Sequence, residues 1–407
     1  MPRYYMGVDW ADTTHAIWVG DEAGAKVREH TVPHTAEGLS EWGRWLDECR
    51  AAGIDLWAAI ERPDGRLVDL LLDHGVTVYP INPKALDRAR DRFRMSSSKS
   101  DPFDARVLAE FLRTDQTHLQ PLSPSSEAAQ ELKLLTRDHQ RLVRQQARVL
   151  NQLTATLKEY YPRPLEVFAD LTTQLARDFL RAYPTPTALA TLRVSQWQRF
   201  ARAHRLGQAR TAELWQQLQQ PALPVPAHVM RAKARLLQVL VEQLDTSLEA
   251  VAAYRQEIDR FFATLPAADW AKSLPGGQHG MTVPTIWAEL GDAPARWQSW
   301  QHLQATAGMT PVTARSGKQC LVRFRFACNT HLRHAVDTLA FVSLQRSAWA
   351  QALYQQQRNR GHRHHRALRA VGAKWLKIIF TMWTHHKPYD EQYHLANIAK
   401  QHLRRVA

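Results

Sequence analysis

The sequence predicts an α/β domain at the N-terminus, a long helical arm after it and a mainly α, strongly basic C-terminal region. Three observations predict that arrangement. Short alternating apolar runs fill the first 81 residues, two stretches between residues 126 and 262 repeat apolar side chains every three or four positions, and cations crowd the segment after residue 315.

Tyr4 to Asp9 alternates into Trp10, His15 to Val19 follows, and Lys26 to His30 comes past Gly24. This reads as three short strands joined by tight turns. Residues 37–50 carry helical periodicity, and Leu56 to Ile60 is a mostly apolar run closed by Glu61 before Pro63, a buried strand tipped with a carboxylate. A helix over 65–74, a strand over 76–81 and a helix starting near Asp101 complete the order β-β-β-α-β-α-β-α. That order is typical of ribonuclease H-like domains.

In such a domain the first and fourth strands are neighbours, so Asp9 and Glu61 are expected to converge at one sheet edge. Asp101 and Asp104 are spaced i,i+3 and share a helix face. Four hard oxygen donors suit Mg²⁺ or Mn²⁺, and two such ions can clamp both sides of a phosphodiester. Without a cation, mutual repulsion raises the carboxylate pKa values, so the cluster implies a metal. Each acidic residue taken singly has an ordinary reading as a solvated group or a cap. Asp101 would then be the N-cap of the helix through Ala105, Val107, Leu108, Ala109 and Leu112. Glu61 resists that reading most, because a charge ending a buried strand needs a reason.

A chain of 407 residues suggests two or three domains, and it holds no run of 18 apolar residues to cross a membrane. The N-terminus does not read as a signal peptide. Cys49, Cys320 and Cys328 form no disulfide framework or zinc knuckle, so a reducing cytoplasm is expected. Net charge is +14, and residues 315–407 hold 17 Lys/Arg against Asp337, Asp390 and Glu391. Everything before that segment is therefore charge-balanced.

A polyanion partner with salt-sensitive affinity is the expectation for such a segment. Its candidate contacts are Arg315, Lys318, Arg323, Arg325, Arg333, Arg363 and Arg366, with His362, His364 and His365 on the same phosphate-binding surface. Phe324, Phe326, Trp349, Trp375 and Trp383 are interleaved there, most of them expected in the core. Leu339, Phe341, Val342, Leu368, Val371, Leu376 and Phe380 read as packed helical faces.

The first arm helix is expected from Ser126 to Tyr161, with Leu132, Leu135, Leu142, Val149, Leu153 and Tyr160 on a coiled-coil seam that His139 and Gln146 interrupt. The second runs over 228–262, with Leu236, Leu240, Leu244, Leu248 and Val251 on one stripe. The two could pair within a chain or between chains. Residues 162–226 read as a helical insert with proline-rich boundaries. Past the glycine turn at Pro275-Gly276-Gly277, Ser316 stands between Arg315 and Gly317-Lys318. By spacing alone this is more ordinarily a loop than a nucleophile, and no base lies nearby in sequence.

Gly7-Val8-Asp9-Trp10-Ala11-Asp12, Lys99-Ser100-Asp101-Pro102-Phe103-Asp104-Ala105 and Ala307-Gly308…Pro311…Ser316-Gly317-Lys318 together resemble the DEDD insertion-sequence transposases, relatives of the Piv-type DNA invertases. The likeness spans nearly the whole chain. It implies a RuvC-like domain over 1–124, a coiled-coil arm with its insert over 125–265 and a transposase domain over 266–407. It further implies that Asp9, Glu61, Asp101 and Asp104 bind metal, that Ser316 forms a covalent link to DNA, and that Lys99 joins the nucleic-acid contacts. The partners it implies are donor and target DNA, a structured bridge RNA that guides both, and a homodimer or homotetramer that composes its site from two protomers. Two other functions fit the residues: a RuvC-like metal-dependent nuclease, and a silent nucleic-acid-binding protein from a decayed element.

Overall fold

In the computed structural model, residues 1–63, 65–93, 101–123, 125–221, 224–277, 280–317 and 319–406 are described, and they form two units, Met1–Pro124 and Ser125–Ala407. The first begins with β1 (Arg3–Asp9), β2 (Thr14–Gly20) and β3 (Lys26–Pro33), an antiparallel meander. Helix α1 (Ala36–Ala51) follows, its N-cap Thr35 accepting from the Gly38 amide at 3.2 Å. Next come β4 (Asp55–Ile60), α2 (Arg66–Asp73), β5 (Thr77–Pro80), α3 (Pro83–Phe93) and α4 (Asp101–Asp115).

The five strands lie in the order β3-β2-β1-β4-β5, with β4 parallel to both β1 and β5. The element order is the expected one with α3 added before α4. Strand alternation divides the core between the two sheet faces. Met6, Val8, Ala58 and Ile60 pack with Trp42 and Leu46 of α1 and Leu67 and Leu71 of α2. Tyr5 and Ala59 pack with Leu86 of α3 and Val107, Leu108 and Leu112 of α4.

The second unit starts with α5 (Glu127–Tyr160), capped by Ser126, whose hydroxyl accepts from the Ala129 amide at 3.2 Å. Five short helices follow, α6 (Arg163–Val167), α7 (Gln174–Ala182), α8 (Pro186–Ala190), α9 (Val194–Ala203) and α10 (Gln208–Leu218), before the long α11 (Ala227–Ala263). Helix α11 runs back along α5 within the same chain: Val149, Leu153 and Leu157 share a core with Leu237, Leu240, Val241 and Leu244, and Leu132 shares one with Ile258 and Phe262. The expected stripe on α11 needs correction, because Leu236 is 42% exposed while Leu237 and Val241 are buried. The insert helices cluster around Phe179 and Trp197 against one end of this pair.

The opposite end carries α12 (Ala268–Ala271), α13 (Thr282–Leu290), α14 (Trp300–Thr306), a hairpin of β6 (Val312–Ser316) and β7 (Gln319–Arg323), and then α15 (Thr330–Ser343), α16 (Ala348–Asn359), α17 (His364–His385) and α18 (Glu391–Val406). Trp349, Trp375 and Trp383 lie in their core as expected, with the Trp375 indole donating to Ser343 Oγ at 2.8 Å. Phe341 departs from the expected packed face and is 54% exposed. No described helix is long and apolar enough to cross a membrane.

Candidate active site

Side-chain alternation on β1 and β4 decides which way the carboxylates face. Asp9 follows Tyr5 and Gly7 onto the α4 side of the sheet, and Glu61, one residue past β4, follows Ala59 onto that same side. The parallel register sets Gly7 against Ala59 and Val8 against Ile60, so Asp9 stands beside Glu61 at the sheet's edge. Helix α4 crosses β1 closely: a Cβ on Gly7 would meet the Ala109 amide nitrogen at 2.6 Å. With Ala105 seated over Gly7, Asp101 and Asp104 in the first turn of α4 come to the edge that holds Asp9 and Glu61.

Their charges act on one another. The Asp9 carboxyl is pushed up to about 6, first by burial and then by Asp101, Asp104 and Glu61, while Arg90 pulls it down. Arg90, from α3, grips Asp104 with both arms of its guanidinium: Nε to Oδ1 and Nη2 to Oδ2 are each 2.7 Å. Its third nitrogen, Nη1, donates to Asp87 at 2.5 Å. Asp104 is buried, and Arg90 is largely covered where Arg88 and Arg92 of the same helix are exposed.

The donor chemistry fits a hard divalent ion: burial first, and then the three neighbouring carboxylates, hold the Asp9 carboxyl up at about 6, and a bound cation would relieve both. Asp9, Glu61, Asp101 and Asp104 are the residues that would hold it. As the side chains stand, no group of three or more His, Cys, Asp or Glu among the described residues is arranged to hold an ion, and both Asp104 oxygens face Arg90. By sequence the arginines at 88, 90, 92 and 94 read as a candidate RNA surface or a solvated helix face; the ion pair of Arg90 with Asp104 is not legible there, and the buried Leu86 and Ala89 of the same helix were the available signal. Beside the carboxylates, Arg62 lies over the Trp10 ring at 4.5 Å, and Trp10 stacks on the buried His15.

Ser316 closes β6 and pairs with Gln319 of β7, and Gly317 beside it takes φ 55°, the left-handed conformation that favours glycine. Both hairpin strands are exposed along their length, Arg315 and Arg323 included. This hairpin was unread in the sequence, although Val312 to Ser316 and Gln319 to Arg323 around a Gly-X turn carry its signal. Arg325 donates to the Thr310 carbonyl at 3.3 Å, and Arg333 donates to the Arg325 carbonyl. Arg333 and Arg369 stand over the Phe324 ring at 4.6 and 4.8 Å, with Phe326 against its edge and 81% exposed. Arg363 and Arg366 are exposed at the start of α17, while Lys99 and Lys318 lie outside the described residues.

A DEDD transposase family model matches residues 6–162, and the transposase family named for IS116, IS110 and IS902 matches residues 270–355. The mini-circle candidate transposase of IS117 from Streptomyces coelicolor is 31% identical over 398 residues, covering 95% of each chain. The chain belongs to the IS110 family of transposases. It is therefore an enzyme of DNA transposition, and its DEDD domain is of a kind that generally uses a divalent metal. Likeness extends along the whole length of other IS110-type proteins: an IS110 protein of S. coelicolor is 25% identical over 391 residues (93% of each chain), and an IS900 protein of Mycobacterium paratuberculosis is 25% identical over 393 residues (95% of this chain and 96% of that one).

Proposed function

We propose that this IS110-family transposase breaks and rejoins DNA through a covalent bond to Ser316, with Asp9, Glu61, Asp101 and Asp104 holding Mg²⁺ or Mn²⁺ and a structured guide RNA selecting donor and target. The observation that carries this reading is the gathering of four carboxylates at one sheet edge by β1, β4 and α4. When bound, the ion supplies positive charge at the phosphoryl oxygens and lowers the pKa of an attacking or leaving oxygen.

Ser316 Oγ forms the new bond to phosphorus as a deoxyribose hydroxyl leaves with the electron pair and takes up a proton. A hydroxyl of the second strand then attacks the serine ester, and Ser316 regains its hydrogen. Bond energy is conserved because one phosphodiester is exchanged for another. Arg315, exposed and next in the chain, neutralises phosphate charge at this turn, and Arg323, Arg363 and Arg366 add cationic surface for the polyanions. The coiled-coil arm serves assembly into a homodimer or homotetramer.

End-labelled donor DNA incubated with protein, Mg²⁺ and RNA transcribed from the flanks of the gene tests the reading on a denaturing gel. A protease-sensitive shifted band in wild type and none in Ser316→Ala is the expected result. Cut DNA without an adduct, equal in both proteins, would assign the chemistry to a metal-dependent nuclease instead.

A further inference from the structure

We infer that Arg90 is a built-in counter-cation that occupies Asp104 until phosphate draws it off, so that the carboxylate cluster loads its ion with nucleic acid present. The inference rests on the reading of the cluster as a metal site. Asp104 is the one buried carboxylate of the four, and both its oxygens are taken by the Arg90 fork at 2.7 Å each. A divalent ion and a guanidinium compete for the charge of the same oxygens: the closed fork takes one lone pair of each and its positive charge opposes the approach of a second cation.

Two features make the contact releasable. Arg90 keeps 19% of its side chain exposed, so a phosphate arriving at the sheet edge can reach it. A phosphate offers the planar fork the same pair of oxygen acceptors that Asp104 offers, so the guanidinium changes partner without losing its hydrogen bonds. Asp87, exposed on the same helix, holds the third nitrogen and keeps the side chain near the edge during the exchange. Arg90 is thus a positioning residue, acting on the site through Asp104.

The test is calorimetric titration of Mn²⁺ into the full-length protein without nucleic acid, for wild type, Arg90→Gln and Arg90→Lys. Arg90→Gln is expected to bind Mn²⁺ on the order of tenfold tighter than wild type, the scale on which groups supporting a metal ligand act. Arg90→Lys, which keeps the charge and loses the fork, is expected between them, and it keeps the test open should the glutamine variant fail to fold. Adding a DNA duplex, with the duplex-only titration subtracted, brings wild type up to Arg90→Gln and leaves that variant unchanged. Equal or weaker Mn²⁺ binding by both variants overturns the inference and spares the metal reading. Absence of binding in every protein, no different from Glu61→Ala, overturns both.

Discussion

Gly7 of β1 and Ala105 of α4 meet backbone to backbone, close enough that a Cβ on Gly7 would lie 1.8 Å from the Ala105 carbonyl oxygen. The contact sets how deeply α4 sits on the sheet and so where its first-turn aspartates stand. Gly7→Ala is expected to force the helix outward, costing about 1–3 kcal/mol as overpacking does. Urea denaturation would show the loss, and strand exchange should fall with it. An unchanged midpoint would mean that α4 is not held by this contact.

Asp9 gives the metal-free protein a pH dependence of definite sign. Its folded pKa of about 6 lies above its ordinary value near 3.8, so the stability it contributes is full below pH 3.8 and is lost as pH rises through 6. Asp9→Asn should therefore stabilise the protein in EDTA at pH 7.5 by about 1 kcal/mol, after discounting for partial exposure, and do little at pH 4. The same protonation competes with metal, so Mn²⁺ affinity should weaken as pH falls below 6. Paired melts at the two pH values decide the matter.

Glu61→Ala and Ser316→Ala are each expected to abolish strand exchange while leaving RNA binding nearly intact. Glu61 is a half-buried group just past β4 and Ser316 is the exposed last residue of β6, so neither truncation opens a cavity. Recombination retained by either variant removes that residue from the chemistry.

Glu289 of α13 is a buried carboxylate gripped by Arg137 of α5 at 2.8 and 3.0 Å and by the Asn329 amide at 2.7 Å. Burial pushes its pKa up, and the hydrogen bonds and charge of Arg137, with Asn329, outweigh that and leave it lowered. Its stabilisation is present at neutral pH and lost as pH falls through the carboxylate range. Arg137→Ala should cost about 3 kcal/mol at pH 7 by stranding the charge. A loss below about 1 kcal/mol in chemical denaturation, the scale of an exposed pair, would show the pair to be dispensable.

Neutralising Arg323 and Arg325 together should weaken nucleic-acid binding broadly and flatten the dependence of log affinity on log salt, as lost phosphate contacts do. Arg325 also anchors the Thr310 carbonyl, so Arg323→Gln alone is the cleaner variant. A salt slope identical to wild type would place the phosphates elsewhere.

Much of this was legible in the chain. Alternation and apolar runs located β1, β4 and β5 within a residue or two, because strands covered by helices on both faces must read as short, nearly continuous apolar runs. The long helices were legible from their caps and periodicity, yet the stripe on α11 was misplaced at Leu236, since neighbouring leucines at 236 and 237 satisfy the same spacing. For the hairpin bearing Ser316 the sequence offers only the Gly-X turn between two short runs, since its exposed strands bury no apolar face that would add a period-two pattern.

By itself the sequence determined the order of elements, the four carboxylates as candidates and the basic end of the chain, which follow from local periodicity and composition, whereas Ser316 became a candidate only through the family resemblance. Only the tertiary structure decided that α11 turns back onto α5 of its own chain, that a glycine lets α4 press on β1, and that Arg90 holds Asp104. Those are contacts between residues distant in sequence or on separate helices. They are selected by packing and charge balance in three dimensions, which no local pattern encodes.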